Sequence, residues 1–287
     1  MIRLLKAIGI KQFRAQSGIN KPFICHLGDF IGEAPFVNAD VCRAEIITMA
    51  TWCEQFEAPI IVDVGGNCGF VATQIALLLQ NKHPLVFSFE PVPYTFQRLI
   101  HSVNSLKLEE YVLPVCMALS NAAGLARISY FESNTMLAQV FERQPNERVG
   151  DRVALAGVLT LDEVAGTTGM PTLIKIDVEG HEAKVLEGAK NILSSEAAPA
   201  ICFELNPITL LESDTSVSKL ISLFVNYEFF YIDDFEGQRM RFGEKLCDIQ
   251  KIDWVCNVFA VPSTGLAQER WRTTVAKAKE VLRFLRN

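Results

Sequence analysis

The chain lacks the cysteine spacings of a zinc site. Its eight cysteines, at 25, 42, 53, 68, 116, 202, 247 and 256, include no Cys-x-x-Cys pair. Cys116, Cys202 and Cys256 sit in apolar runs and read as buried small hydrophobes, which favours a reduced, cytoplasmic setting over a disulfide framework. No apolar run approaches the roughly 18 residues of a membrane-spanning helix, so no transmembrane segment is expected. Internal repeats, low-complexity tracts and long linkers are missing too. The opening MIRLLKAIGIKQFRAQ is basic and amphipathic. It has neither a sustained apolar core nor a small-residue cleavage site, which speaks against a signal peptide. Acid is absent from residues 1–24, which hold Arg3, Lys6, Lys11, Arg14 and Lys21. Residues 266–287 carry six basic and two acidic side chains, so the body between is strongly acidic. A net charge of −6 argues against general nucleic-acid binding. The basic ends read either as segments docked on the acidic body or as a surface for an anionic acceptor or membrane.

What is present suits a full core: 287 residues, 49% of them hydrophobic. Three regions are expected. Residues 1–57 form a head, with a short hairpin at FICHLGDFIG and a helix at ADVCRAEIITMATWCEQF; residues 58–265 form the main domain; residues 266–287 form an amphipathic helix. Strands and helices alternate after Pro59. PIIVDV, LVFSFE, YVLPVCMAL, TLIKIDV and AICFEL read as strands; GFVATQIALLLQ, PYTFQRLIHSVNSL, HEAKVLEGAKNIL and SVSKLISLFVN read as helices. LARISYF and RVALAGVL read as paired strands or an insertion, separated by the polar FERQPNERVGD, while EFFYID and WVCNVFAVP close the set. This is an α/β pattern: a mainly parallel sheet covered by helices on both faces, with ligands bound beyond the carboxyl ends of its strands. On the terminal helix Trp271, Val275, Ala278, Leu282 and Leu285 form a stripe for docking on the domain or on a second subunit, which leaves a homo-oligomer open.

Two short stretches carry the chemistry. VDVGGNCGF follows the first apolar strand, with Asp63 before the turn and Gly65, Gly66, Asn67 and Gly69 within it. The glycines allow a tight turn and close approach of a ligand to the backbone. Glu90, followed by Pro91, ends the next strand and suits a pair of ribose hydroxyls. The spacing is not Gly-x-Gly-x-x-Gly, and an acid stands where a pyrophosphate would be repelled. S-adenosylmethionine, with its cationic sulfur and amino group, fits an acidic loop better than NAD does. The second stretch is LIKIDVEGHEAKVLEGA. Lys175, Asp177 and Glu179 alternate with apolar residues, so on a strand they share one face running towards the cleft.

VDVGGNCGF, FSFEPVP, LIKIDVEGHEAKVLEGA and ICFELNP, in that order, resemble the FkbM-type S-adenosylmethionine-dependent methyltransferases over about residues 60–262. KIDVEGHE is the most specific element. The resemblance implies a Rossmann-like sheet of seven strands with the last antiparallel. It also implies methyl transfer to a hydroxyl of a sugar or secondary metabolite, so the partner is a small-molecule acceptor, a saccharide among the candidates. Gly66 stands where the family more often has alanine, a departure expected to be tolerated. An NAD-dependent oxidoreductase or sugar epimerase is the competing enzyme, disfavoured because Tyr94 and Tyr130 lack the lysine of a Tyr-x-x-x-Lys pair. A catalytically silent Rossmann-like binding protein is the third reading, and the charged row on residues 173–179 argues against it.

Within that reading the amino-acid end of the cofactor lies on the Asp63–Gly69 turn and its ribose on Glu90. The adenine lies near Cys116–Leu119, with Met117 and Ala118 in contact, and Glu45 of the head reaches the amino group. Asp177 stands beside the methyl group, Glu179 and Glu204 share the site, and His181 is the candidate base with Asp177 as its orienter. Helix capping is the plain alternative for His181. In a metal version, Asp177, Glu204 and Asn206 give three oxygens to Mg²⁺. Lys175 either neutralises the site's acids or pairs structurally with one of them.

Overall fold

The computed structural model describes residues 1–28, 30–131, 134–141, 150–235 and 237–286. It opens with helix α1 (Ile2–Ala7), then a hairpin of β1 (Gln12–Gln16) and β2 (Pro22–His26). The hairpin lies earlier than the sequence suggests. FICH is its second strand, and the turn is made by Ser17–Lys21, with Asn20 left-handed at φ 56°. The rest of the expected hairpin leads into α2 (Phe30–Val37). The head helix α3 (Arg43–Cys53) is shorter than its apolar pattern, because Cys42 takes a left-handed φ of 52° just before it.

The alternation then follows expectation through β3 (Ile60–Val64), α4 (Phe70–Leu79), β4 (Leu85–Phe89) and α5 (Pro93–Leu106). The single strand expected at YVLPVCMAL is two. β5 (Val112–Val115) ends the main sheet, and β6 (Met117–Leu119) joins a second one with β7 (Gly124–Phe131), β8 (Asn134–Phe141) and β9 (Arg152–Leu159). Cys116, at the break, is exposed rather than buried. β7 and β9 pair antiparallel as anticipated; β8 does not appear in the sequence reading, and residues 142–149 of the polar tract lie outside the described residues.

Next come α6 (Leu161–Thr168), opened by a capping box of Thr160 and Glu163, β10 (Leu173–Ile176), α7 (Glu182–Glu187) and α8 (Lys190–Ser194). HEAKVLEGAKNIL is therefore two helices. They part at Gly188, where a Cβ would stand 2.2 Å from the Ser120 carbonyl oxygen. The chain closes with β11 (Ala200–Leu205), α9 (Pro207–Glu212), α10 (Val217–Ser222), β12 (Tyr227–Tyr231), β13 (Cys256–Pro262) and α11 (Gly265–Arg286).

Seven strands form the main sheet in the order β12-β13-β11-β10-β3-β4-β5. The last strand in sequence, β13, runs antiparallel to both neighbours, and the other pairings are parallel. Alternation sorts the strand residues onto two faces. Ile61, Val86, Leu173, Cys202 and Phe259 pack under α3, α4, α5 and α11; Val62, Val64, Ile174, Ile176, Ile201 and Phe203 pack under α7, α8 and α10. Trp271 of the terminal helix stacks on Phe259, centroids 5.0 Å apart, so its apolar stripe docks on its own sheet.

Candidate active site

Lys175 lies in the middle of the sheet, opposite Asp63 of β3 on one side and Cys202 of β11 on the other. Asp63 in turn faces Ser88 of β4. All four side chains are buried, forming one rung across the sheet beneath α3. Lys175 Nζ sits 3.0 Å from Asp177 Oδ2 and 3.8 Å from Asp63 Oδ1; Ser88 Oγ donates to Asp63 Oδ2 at 2.7 Å. Burial works against the lysine's charge, but Asp177, Asp63 and Glu45 together hold it well above the usual lysine range. Lys175 lines the cleft while itself staying buried. It is a buried cation whose partners are Asp63 behind and Asp177 in front. The expected charged strand also stops early: β10 ends at Ile176, Asp177 N still donates to Val64 O, and Glu179 and Gly180 then turn left-handed at φ 50° and 96°. Glu182 clasps this turn, accepting from Val178 N and Gly180 N.

Two residues further along each strand, the sheet opens. Glu90, Gly65, Asp177, Glu204 and Asn257 line a cavity of about 260 Å³ at the carboxyl ends of β4, β3, β10 and β11. Gly66, Asn67, Pro91 and Glu179 complete its floor and rim, and the head supplies Ala34, Pro35, Val41, Cys42 and Glu45. Five carboxylates thus face one lysine that is already paired. In the four glutamates burial is the first cause of an upward shift, and repulsion by neighbouring carboxylates adds to it. Glu179 is pushed up to about 8, and Glu45, Glu90 and Glu204 to about 7.

Glu90 is fixed by the loop it was expected to serve. Its Oε2 accepts from Asn67 N at 3.0 Å and its Oε1 from Val92 N at 2.9 Å. Each oxygen keeps a second acceptor position, enough for a diol. The glycines answer to the protein's own packing. A Cβ on Gly65 would stand 2.0 Å from Asp177 O, and one on Gly66 2.0 Å from Ser88 Oγ. Alanine at 66 therefore does not fit beside Ser88, so the glycine is matched to this serine rather than being a free departure. The surplus of acceptors and buried acid is a donor set that fits a cation carrying an amino group and a ribose, as S-adenosylmethionine does.

Several expected site residues lie elsewhere. Asp63 is under the loop, paired with Lys175, and Gly69 packs its backbone on Leu99; neither lines the cavity. Met117 and Ala118 do not line it either, because β6 has joined the second sheet, where Ala118 packs with Ala126 and Val158. His181 takes the N-cap position of α7 beyond the Glu179–Gly180 turn without a capping side-chain hydrogen bond; its Nε2 lies 3.0 Å from Ser120 Oγ, and it lines a separate polar hollow. The oxygen trio for Mg²⁺ is not assembled. Asn206 Oδ1 caps α9, accepting from Ile208 N and Thr209 N, and its amide nitrogen donates to Glu204 Oε2. Among the described residues no group of three or more His, Cys, Asp or Glu is arranged to hold a metal. Asn257, missed in the sequence, had a signal: it is the one polar residue in the apolar run CNVFAVP, and antiparallel register sets it opposite Glu204. Val41 and Cys42 had none, since only the path of the head brings them to the rim.

A glycine turn, an acid ending the next strand and an acidic KIDVEG turn therefore meet at one sheet edge. The sequence profile of the Methyltransferase FkbM domain matches residues 63–231, from the paired Asp63 to the end of β12. The chain belongs to the FkbM methyltransferase family. Hexuronic acid methyltransferase AglP of Haloferax volcanii is 34% identical over 144 residues, covering 50% of this chain and 54% of that protein. Methyltransferase sdnD of Sordaria araneosa is 26% identical over 159 residues, covering 45% and 60%. The matched stretch thus spans little more than half of each relative. Among solved structures, a methyltransferase FkbM from Methylobacillus flagellatus KT superposes with a TM-score of 0.42 at 17% identity, covering 71% of this chain and 44% of that one. In this FkbM chain the profile leaves out the head and β13, which supply Glu45 and Asn257 to the cavity.

Proposed function

We propose that the protein transfers a methyl group from S-adenosylmethionine to a hydroxyl of a small acceptor of the saccharide class. The observation that carries this is the open, acid-lined cavity at the glycine turn. Bound there, S-adenosylmethionine would supply a methyl group on a cationic sulfur, electrophilic without a metal. Gly65, Gly66 and Asn67 would hold its amino-acid end and Glu90 its ribose hydroxyls. The remaining work is to orient the acceptor and take its proton. Asp177, half in the cavity and steadied by Lys175, is placed to accept that proton. Glu179 and Glu204, pushed up towards neutrality, flank it as alternative acceptors. The head, contributing Val41, Cys42 and Glu45 to the rim, would select the acceptor. The saccharide class rests on the relative named for hexuronic acid.

The test pairs binding with transfer. Calorimetry should show S-adenosylmethionine binding and no NAD binding. Host extract supplied with methyl-labelled cofactor should yield a labelled, hydroxyl-methylated product. In Asp177→Asn the cofactor should still bind while transfer falls by about 10²–10⁴. Binding of NAD in preference to S-adenosylmethionine would return the site to the oxidoreductase reading.

A further inference from the structure

We infer that the amino-terminal helix docks the protein on an anionic lipid surface. Helix α1 is apolar along one side, part of it covered and part bare. Ile2 and Leu5 pack against the cluster of Phe23, Cys25 and Leu27. Met1, Leu4 and Ile8, spaced by three and four residues from the N-cap to the C-cap, form the bare edge beside Leu5. They are exposed by 77%, 66% and 64%, and Ile10 follows at 36%. A soluble surface gains nothing from three large apolar side chains in one stripe of so short a helix.

Charge decides what covers this stripe. The chain as a whole is acidic, at −6, yet residues 1–24 hold five basic residues and no acid. Arg3, Lys6, Lys11 and Arg14 are exposed. Lys6 is held by Glu33 of α2, while the exposed Arg3 precedes Leu4 and the exposed Lys11 follows Ile10 along the chain. Exposed apolar side chains in a segment of basic charge match the boundary between headgroups and acyl chains of an anionic bilayer. A second copy of this acidic chain would also meet the cations, but it brings no acyl phase for the exposed apolar stripe. No helix among the described residues is long and apolar enough to cross a membrane, so the contact is peripheral.

Flotation with vesicles of phosphatidylcholine alone and of phosphatidylcholine with phosphatidylglycerol tests this on the whole chain. Wild type should float with the phosphatidylglycerol vesicles and not with phosphatidylcholine alone, and added salt should release it. The double variant Leu4→Glu/Ile8→Glu should lose vesicle binding about tenfold or more. It should keep its circular dichroism and its melting temperature, because both residues lie outside the core. Arg3→Glu/Lys11→Glu should lose binding at low salt as well. Three results would overturn the inference: failure of wild type to float with anionic vesicles, wild-type binding by the leucine–isoleucine variant, or a wild-type dimer that this variant makes monomeric, assigning the stripe to a second copy.

Discussion

Two successive rungs of one sheet face differ in the fate of their charge. Ser88, Asp63, Lys175 and Cys202 form a closed rung under α3, where the cation has an acid on two sides. Glu90, Gly65, Asp177 and Glu204 form the open rung two residues on, where acids outnumber cations. The same strands and the same face carry both. The difference lies in what covers them: α3 closes the first, while the chain peels away as turns above the second. An excess of carboxylate is tolerable only where solvent or a cationic ligand can reach it. The closed rung is therefore structural, and it positions the open one through the Lys175–Asp177 contact.

Breaking the closed rung should give the largest effect. Lys175→Met leaves Asp63 buried without its cation, and loss of one partner of a buried pair costs about 3–5 kcal/mol. Urea unfolding should show the midpoint falling by that measure. Removing the second charge as well, in Lys175→Met/Asp63→Asn, should restore more than half of it. If the double variant is no more stable than the single one, Asp63 is not the partner that matters.

Emptying the open rung should strike binding. Glu90→Ala removes charge-assisted hydrogen bonds to a ribose, worth roughly 1.5–3 kcal/mol of cofactor affinity. Calorimetry reads this directly. An unchanged affinity would take Glu90 out of the ligand site and leave it as the clasp between Asn67 N and Val92 N.

The joint between the rungs can be sharpened at Gly66. Its Cβ position lies 2.0 Å from Ser88 Oγ and 3.2 Å from Asp63 Oδ2. Gly66→Ala should cost about 1–3 kcal/mol through overpacking. Ser88→Ala in the same chain should recover most of that loss. Thermal melting of the two single variants and the double variant supplies the coupling, and additive effects would show that the loop shifts away from the serine.

Much of this was legible in the sequence because it rests on period. The alternation of PIIVDV and AICFEL fixed strand faces, and Pro93 marked the start of α5. The glycine turn, Glu90 and Asp177 arrive at one cavity because each ends a parallel strand, which register alone dictates. What could not be read depended on contacts remote in sequence. Cys116 breaks a run that looks like one strand because β6 pairs with β9, forty residues on. His181 reads as a cleft residue by spacing, but the left-handed pair Glu179–Gly180 carries it past the rim. Lys175 reads either as neutralising the site's acids or as pairing with one of them, and only the register shows Asp63 beside it.

The smallest expected effect concerns pH and separates the acids of the open rung from Lys175 by the pH range in which each acts. Glu45, Glu90 and Glu204 are pushed up to about 7, and Glu179 to about 8, first by burial. An unfolded glutamate titrates near 4.3. Between that value and 7–8 the native protein binds more protons than the unfolded chain, so its stability falls as pH rises through this window. Lys175 of the closed rung acts in the same sense but only far higher, where an unfolded lysine loses its proton before the native one does. The ligand-free protein should therefore melt at a lower temperature at pH 8 than at pH 5.5. Glu45→Gln removes one buried carboxylate from the balance. It should raise the pH 8 melting temperature by roughly 2–4 °C, the shift that accompanies about 1 kcal/mol in a domain of this size, and raise the pH 5.5 value by less. A bound cation stabilises the ionised carboxylates, so S-adenosylmethionine should protect more at pH 8 than at pH 5.5. Equal protection at both pH values would mean that the open rung's acids do not face the ligand's charge, and the cavity's electrostatic match to a sulfonium would fail with it.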